Sequence, residues 1–174
     1  MIINRYHIKS PTEIIDLQLG IPQDYKQKCI NEIYKIGNSV DQPSNVYATR
    51  STFHVWKETK VLDLLFDQIT NVVFTLYKDK YKQRNIRLES AWSAIYKKGD
   101  GANPHEHLPN AIAFVYYLQS NGDTPLIFNE ADFKIEPKDD TLVIFPSYLI
   151  HSVPPHEGDK DRICVAGNFY INKS

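Results

Sequence analysis

The spacing of hydrophobic positions changes near the middle of the chain. In the first half it is helical. After "GIP", the stretch "QDYKQKCINEIYKIGN" puts Tyr25, Cys29, Ile33 and Ile36 on one face and stops at Gly37-Asn38, residues that commonly close a helix. A longer segment, "TKVLDLLFDQITNVVFTLYKDKY", sets Leu62, Leu65, Phe66, Ile69, Val72, Val73 and Leu76 at i, i+3, i+4 and i+7 spacing, with Asp63, Asp67 and Asn71 opposite. From about Arg87 the pattern becomes short β-rich runs: "LESAWSAIYK", "AIAFVYYLQ", "TPLIFNE", "DTLVIFPS" and "RICVAGNFYI". Clusters of Gly, Pro, Asn and Asp, such as "KKGDGANP", "SNGD" and "EPKDD", separate them. Helices first and closely spaced strands afterwards predict an α+β domain, with a sandwich or jelly-roll barrel backed by N-terminal helices. With no internal repeat or long linker, we expect one domain over residues 1–174: residues 1–87 mainly helical support, residues 88–172 the β core.

Composition narrows the function classes. The chain has 174 residues, 42% hydrophobic and 24% charged, enough for a single buried core. A net charge of -1 disfavours nucleic acid and acidic membrane surfaces, both of which call for a basic face. The basic stretch "KDKYKQR" at the end of the second helix reads as a solvated, dipole-complementing helix end. Cys29 and Cys164 form no C-x-x-C pair, so neither a disulfide scaffold nor a zinc ribbon is suggested. The N-terminal residues carry no signal-peptide pattern, and no apolar run approaches about 18 residues. These features together predict a cytoplasmic protein.

Chemistry concentrates in "NPHEHLPNAIAFVYYL" and "FPSYLIHSVPP". On a strand, residues i and i+2 share a face, so His105 and His107 can aim at one point while Glu106 faces away. His151 lies 44 positions beyond His107, within reach if the barrel closes. Three imidazoles suit iron, copper, nickel and zinc alike, so the donor set does not name the metal. On spacing alone, a His-x-His in a Pro- and Asn-rich turn is more often a plain polar loop.

Two further residues change that balance. Arg162 opens "RICVAGNFYI", where alternation groups it with Cys164, Ala166 and Asn168 and leaves Ile163, Val165, Gly167 and Phe169 on the other face. An arginine among small neighbours has room to reach into a cavity and take a carboxylate with its planar fork. Tyr96, nine positions before His105, can offer a hydroxyl to the same ligand. Taken singly, the bland alternatives are an exposed edge-strand arginine and a core tyrosine.

The series Tyr-x-x-Gly-(x5)-His-x-His, an "AFVYYL" strand, "LVIFPSYLIHSV" and an arginine eleven positions after the last histidine resembles the iron(II)- and 2-oxoglutarate-dependent oxygenases. More narrowly it is similar to a small phage and bacterial His-x-His branch, related to the prolyl-hydroxylase-like members. The resemblance covers residues 88–172 and implies a double-stranded β-helix with iron at one mouth of the barrel. It also implies that His105 and His151 are metal ligands, that Arg162 pairs with the distal carboxylate of 2-oxoglutarate, and that Tyr96 binds the same cosubstrate. Asn168, on the Arg162 face, is a further pocket candidate. The usual ligand set is His-x-Asp/Glu with a distant His, and here His107 stands where the carboxylate normally does. Glu106 would need a bulge to turn inward.

The activity implied is that of a dioxygenase, with dioxygen and an organic substrate as partners and hydroxylation as the first expectation. Two other readings stay open: a three-histidine cupin-type metal enzyme using no 2-oxoglutarate, and a jelly-roll binding module without a catalytic metal. His54 and His156 read as structural or solvated positions, His7 as peripheral, and Trp56 and Trp92 as packing residues. No P-loop, nucleophile elbow or dinucleotide fingerprint is present. Substrate and oligomeric state leave no readable signal.

Overall fold

A computed structural model describes residues 12–37, 44–81, 84–120 and 124–173. His7, the N-terminal segment, Asn38 and most of the "SNGD" turn lie outside the described residues. In chain order the elements begin with β1 (Ile15–Gln18), α1 (Gln23–Ile36), β2 (Val46–Tyr47), β3 (Thr49–Arg50) and α2 (Asp63–Tyr77). The strand-rich half follows: β4 (Arg84–Tyr96), β5 (Gly101–His105), β6 (Ile112–Gln119), β7 (Leu126–Phe128), β8 (Phe133–Ile135), β9 (Thr141–Pro146), β10 (His151–Val153) and β11 (Arg162–Lys173).

The strands form two sheets, ordered β1-β9-β6-β11-β4-β3 and β2-β5-β10-β7-β8. All the pairings within them are antiparallel. This is the α+β architecture expected, a double-stranded β-helix backed by helices. Alternation on β6 explains its unbroken apolar run. Phe114, Tyr116 and Leu118 join the core beneath the helices, while Ala113, Val115 and Tyr117 join the core inside the barrel. Both faces are covered, as in other sheets buried on two sides. On β11, Ile163 and Val165 pack toward the helices, and Cys164 and Ala166 toward the interior.

Both helices occupy the predicted segments, with two corrections. Gly37 has φ -65°, so it does not close α1 through the left-handed conformation; a Cβ there would lie 2.9 Å from the Ile33 carbonyl oxygen and 3.1 Å from the Ile95 side chain, and close packing is what favours glycine. On α2 the sheet-facing row runs Leu65, Ile69, Val73 and Tyr77, at i+4 spacing. Leu76 falls off that row and is 42% exposed.

The region before β4 is also less purely helical than its periodicity suggests. β1 adds to the edge of the larger sheet beside β9, and β2 and β3 extend one sheet each. These strands are too short for a period-two signal to stand out. Among the described residues, no helix is long and apolar enough to cross a membrane.

Candidate metal centre and the adjoining anion pocket

His105 ends β5 and His151 begins β10, and the two are direct register partners across the smaller sheet. His151 therefore opens a new strand after a turn and does not continue β9. His107 lies just past β5, where its N–H donates to the Ser147 carbonyl at 2.8 Å and fixes the chain's return. The three rings converge, with centroids 4.4 Å apart for His105 and His151, 4.9 Å for His107 and His151, and 5.0 Å for His105 and His107. One ring nitrogen from each lies within 4.8 Å of the others. Glu106 is exposed and outside this cluster.

The hydrogen bonds orient the rings for coordination. A carbonyl can only accept, so Nδ1 of His105 donates to Asn103 O at 2.6 Å and Nδ1 of His151 to Leu149 O at 2.9 Å. Each neutral ring then keeps its Nε2 lone pair free, the arrangement that presents a metal-binding histidine. His107 Nε2 lies 3.2 Å from His151 Nε2. That approach is short enough for both nitrogens to serve one ion. Burial, with His151 and His105 nearby, lowers His107 to about 3; burial, then His105, lowers His151 to about 4. Burial also lowers His105, so all three are neutral near pH 7, the state that ligates metal.

Arg162 lies deeper in the same cavity, with Tyr96 as its register partner on β4. It is only 2% exposed. One guanidinium nitrogen donates to Thr124 O at 2.8 Å and another to the Tyr117 hydroxyl at 3.0 Å, while Nε has no partner. The group lies 4.7 Å from the Tyr117 ring centre and 5.5 Å from that of Tyr96. Among the described residues, no carboxylate pairs with it. A buried cation without a counter-ion is costly unless a ligand supplies the negative charge. Leu126, Phe145 and Val153 line the same cavity, which therefore combines a cation, apolar walls and three imidazoles. Burial raises the Tyr96 phenol and pushes Tyr117 up to about 12, keeping both protonated at neutral pH.

Asn168 does not enter this cavity. It lines a second cleft with Arg50, Phe53, Ser90 and Trp92, on the side where His105 and His107 also surface. Its amide nitrogen donates to Ser90 Oγ at 3.0 Å, and its buried Oδ1 has no partner. The β4–β11 register shifts immediately after Asn168. His54 sits away from the metal cluster, against Trp56.

Three further residues bear on the site. Tyr117 was detectable, because β6 alternation puts it beside Cys164 on the interior face. Thr124 acts through its backbone carbonyl, for which side-chain patterns carry no signal. His156, placed in a charged turn by its neighbours, is fully buried.

The family described as "Putative 2OG-Fe(II) oxygenase" matches residues 128–168, a stretch that contains His151 and Arg162. No curated protein matches the sequence. Among solved structures, the chain is similar to the viral collagen prolyl hydroxylase of Paramecium bursaria Chlorella virus-1 in its 2-oxoglutarate complex. That likeness has TM-score 0.69 and 18% identity and covers 90% of this chain and 94% of that one. A Pseudomonas putida prolyl-4-hydroxylase gives TM-score 0.66 at 15% identity, covering 90% and 91%. HygX of Streptomyces hygroscopicus, solved with nickel and 2-oxoglutarate, gives 0.67 at 10% identity, covering 91% and 83%. At these identities the structures establish the shared fold.

Proposed function

We propose that this chain is a single-domain, non-haem iron(II)- and 2-oxoglutarate-dependent oxygenase, a hydroxylase of an organic substrate. His105, His107 and His151 would hold the metal. Arg162 would pair with the distal carboxylate of 2-oxoglutarate, with the Tyr96 and Tyr117 hydroxyls beside it. Bound iron(II) and 2-oxoglutarate supply a decarboxylation-driven oxidation by dioxygen. The chain's own residues would bind, orient and exclude water, with the apolar walls of the cavity limiting solvent around the bound groups. The second cleft, sharing His105 and His107, is the natural seat for substrate, which assigns Asn168 to the substrate side. Three neutral ligands leave the metal one positive charge richer than two histidines and a carboxylate would.

One observation carries this reading: a buried arginine with no carboxylate partner among the described residues shares a cavity with three neutral, convergent histidines. A three-histidine enzyme without 2-oxoglutarate would leave that guanidinium unexplained. Thermal melting with nickel(II), a redox-inert probe, tests it. 2-Oxoglutarate should raise the melting temperature further only when nickel is present, and the increment should vanish in Arg162→Ala. Nickel stabilisation with no added effect of 2-oxoglutarate would favour the cupin-type reading.

A further inference from the structure

The loop of residues 154–161 joins β10, which opens with metal-site His151, to β11, which opens with Arg162. His156 stands within it, 1% exposed, with all four of its polar groups occupied. Its N–H donates to Asp100 O at 2.7 Å, and its own carbonyl accepts from Gly99 N at 2.8 Å. These two bonds tie the loop to the β4–β5 turn just beyond Tyr96. The ring spans the loop's other neighbours, with Nε2 2.8 Å from Lys160 O and Nδ1 2.9 Å from Thr124 Oγ1.

The donors follow from the acceptors. Lys160 O can only accept, so Nε2 carries a proton; in the neutral ring Nδ1 then accepts from the Thr124 hydroxyl. Thr124 is 3% exposed and also gives its carbonyl to the Arg162 guanidinium at 2.8 Å. One residue thus receives Arg162 through its backbone and is held by His156 through its side chain. Among the described residues the guanidinium has a single side-chain acceptor, Tyr117, and the carbonyl of Thr124 aims the other arm of the fork.

We propose that His156 is a positioning residue for the anion end of the pocket, acting through Thr124 on Arg162. This rests on the oxygenase reading, since it presumes that Arg162 receives the 2-oxoglutarate carboxylate. His156 belongs to neither the metal cluster nor the cavity lining, so it acts on cosubstrate affinity and leaves metal affinity alone. Loss of one neutral hydrogen bond that only orients a partner corresponds to about fivefold in affinity.

Calorimetric titration of the full chain, first with nickel(II) and then with 2-oxoglutarate, tests this on wild type, Thr124→Val, Thr124→Ser and His156→Gln. Thr124→Val keeps the backbone carbonyl and the side-chain shape while deleting the hydroxyl. It should bind nickel as wild type does and 2-oxoglutarate about fivefold more weakly, with Thr124→Ser restoring affinity and His156→Gln falling between. If wild type binds 2-oxoglutarate and Thr124→Val matches it, or if Thr124→Val loses nickel and 2-oxoglutarate affinity in equal measure, the positioning role is overturned and the oxygenase reading stands. If wild type takes nickel but no 2-oxoglutarate, that reading fails and the positioning role falls with it.

Discussion

His105 and His151 face one another across β5 and β10, and each turns Nδ1 to the backbone carbonyl two residues before it, Asn103 and Leu149 respectively. The same local device on opposed strands leaves both Nε2 atoms free, and one ring nitrogen from each of His105, His107 and His151 lies within 4.8 Å of the others. Removing any one ring should therefore affect metal binding out of proportion to folding. His151→Ala should weaken nickel or iron(II) binding by more than the roughly 10–100-fold that loss of an outer partner costs. Metal content after dialysis, beside a circular dichroism spectrum, measures it; full metal retention would mean that His151 is not a ligand.

The metal-free protein should be acid-sensitive. His107 and His151 lie at about 3 and about 4 in the folded chain, against 6.5 for an ordinary histidine, because burial disfavours their charged forms. Below about pH 6.5 the unfolded chain binds protons that the folded chain does not, so stability falls as pH drops toward 4 and is flat in this respect above neutrality. Urea midpoints at pH 7 and pH 5 should differ, and His107→Gln with His151→Gln should narrow the difference.

Tyr117 supplies the side-chain acceptor for Arg162. Tyr117→Phe deletes that oxygen and leaves a buried cationic N–H unanswered, at a cost of about 2 kcal/mol. Chemical denaturation of the ligand-free protein would show it. An unchanged midpoint would mean that the guanidinium finds water or another acceptor.

Packing of the larger sheet gives a test independent of the chemistry. Gly167 lies in the middle of β11, where a Cβ would fall 2.4 Å from Ser90 O and 2.7 Å from the Phe114 ring. Gly167→Ala must push β11 away from its neighbours or displace Phe114, so it should destabilise by about 1–3 kcal/mol or more. Equal stability of the variant and wild type would contradict this close packing.

Long, periodic segments were legible in the sequence, and so was chemistry carried by side chains. α1, α2, β4, β6, β9 and β11 come from patterns several residues long, and alternation on β11 correctly grouped Arg162 with Cys164 and Ala166. β2, β3 and β10 span two or three residues, where pairing to a neighbour defines the strand and no period can develop. Asn168 shares the predicted face of β11 but opens on another cleft, a matter of where the barrel wall divides its two cavities. Of the two readings open for His156, structural or solvated, the structural one is realised. Charged neighbours suggest solvent, whereas the ring is buried because Thr124 and Lys160 O, remote or main-chain partners, satisfy it.

The most direct test of the central claim is an anaerobic titration of metal-free protein with iron(II) and then 2-oxoglutarate, followed by visible absorbance in wild type and Arg162→Ala. The account predicts a saturable metal-to-ligand charge-transfer band in wild type that needs much more 2-oxoglutarate to develop in the variant. Iron binding without any band, or a band indifferent to Arg162, would contradict it.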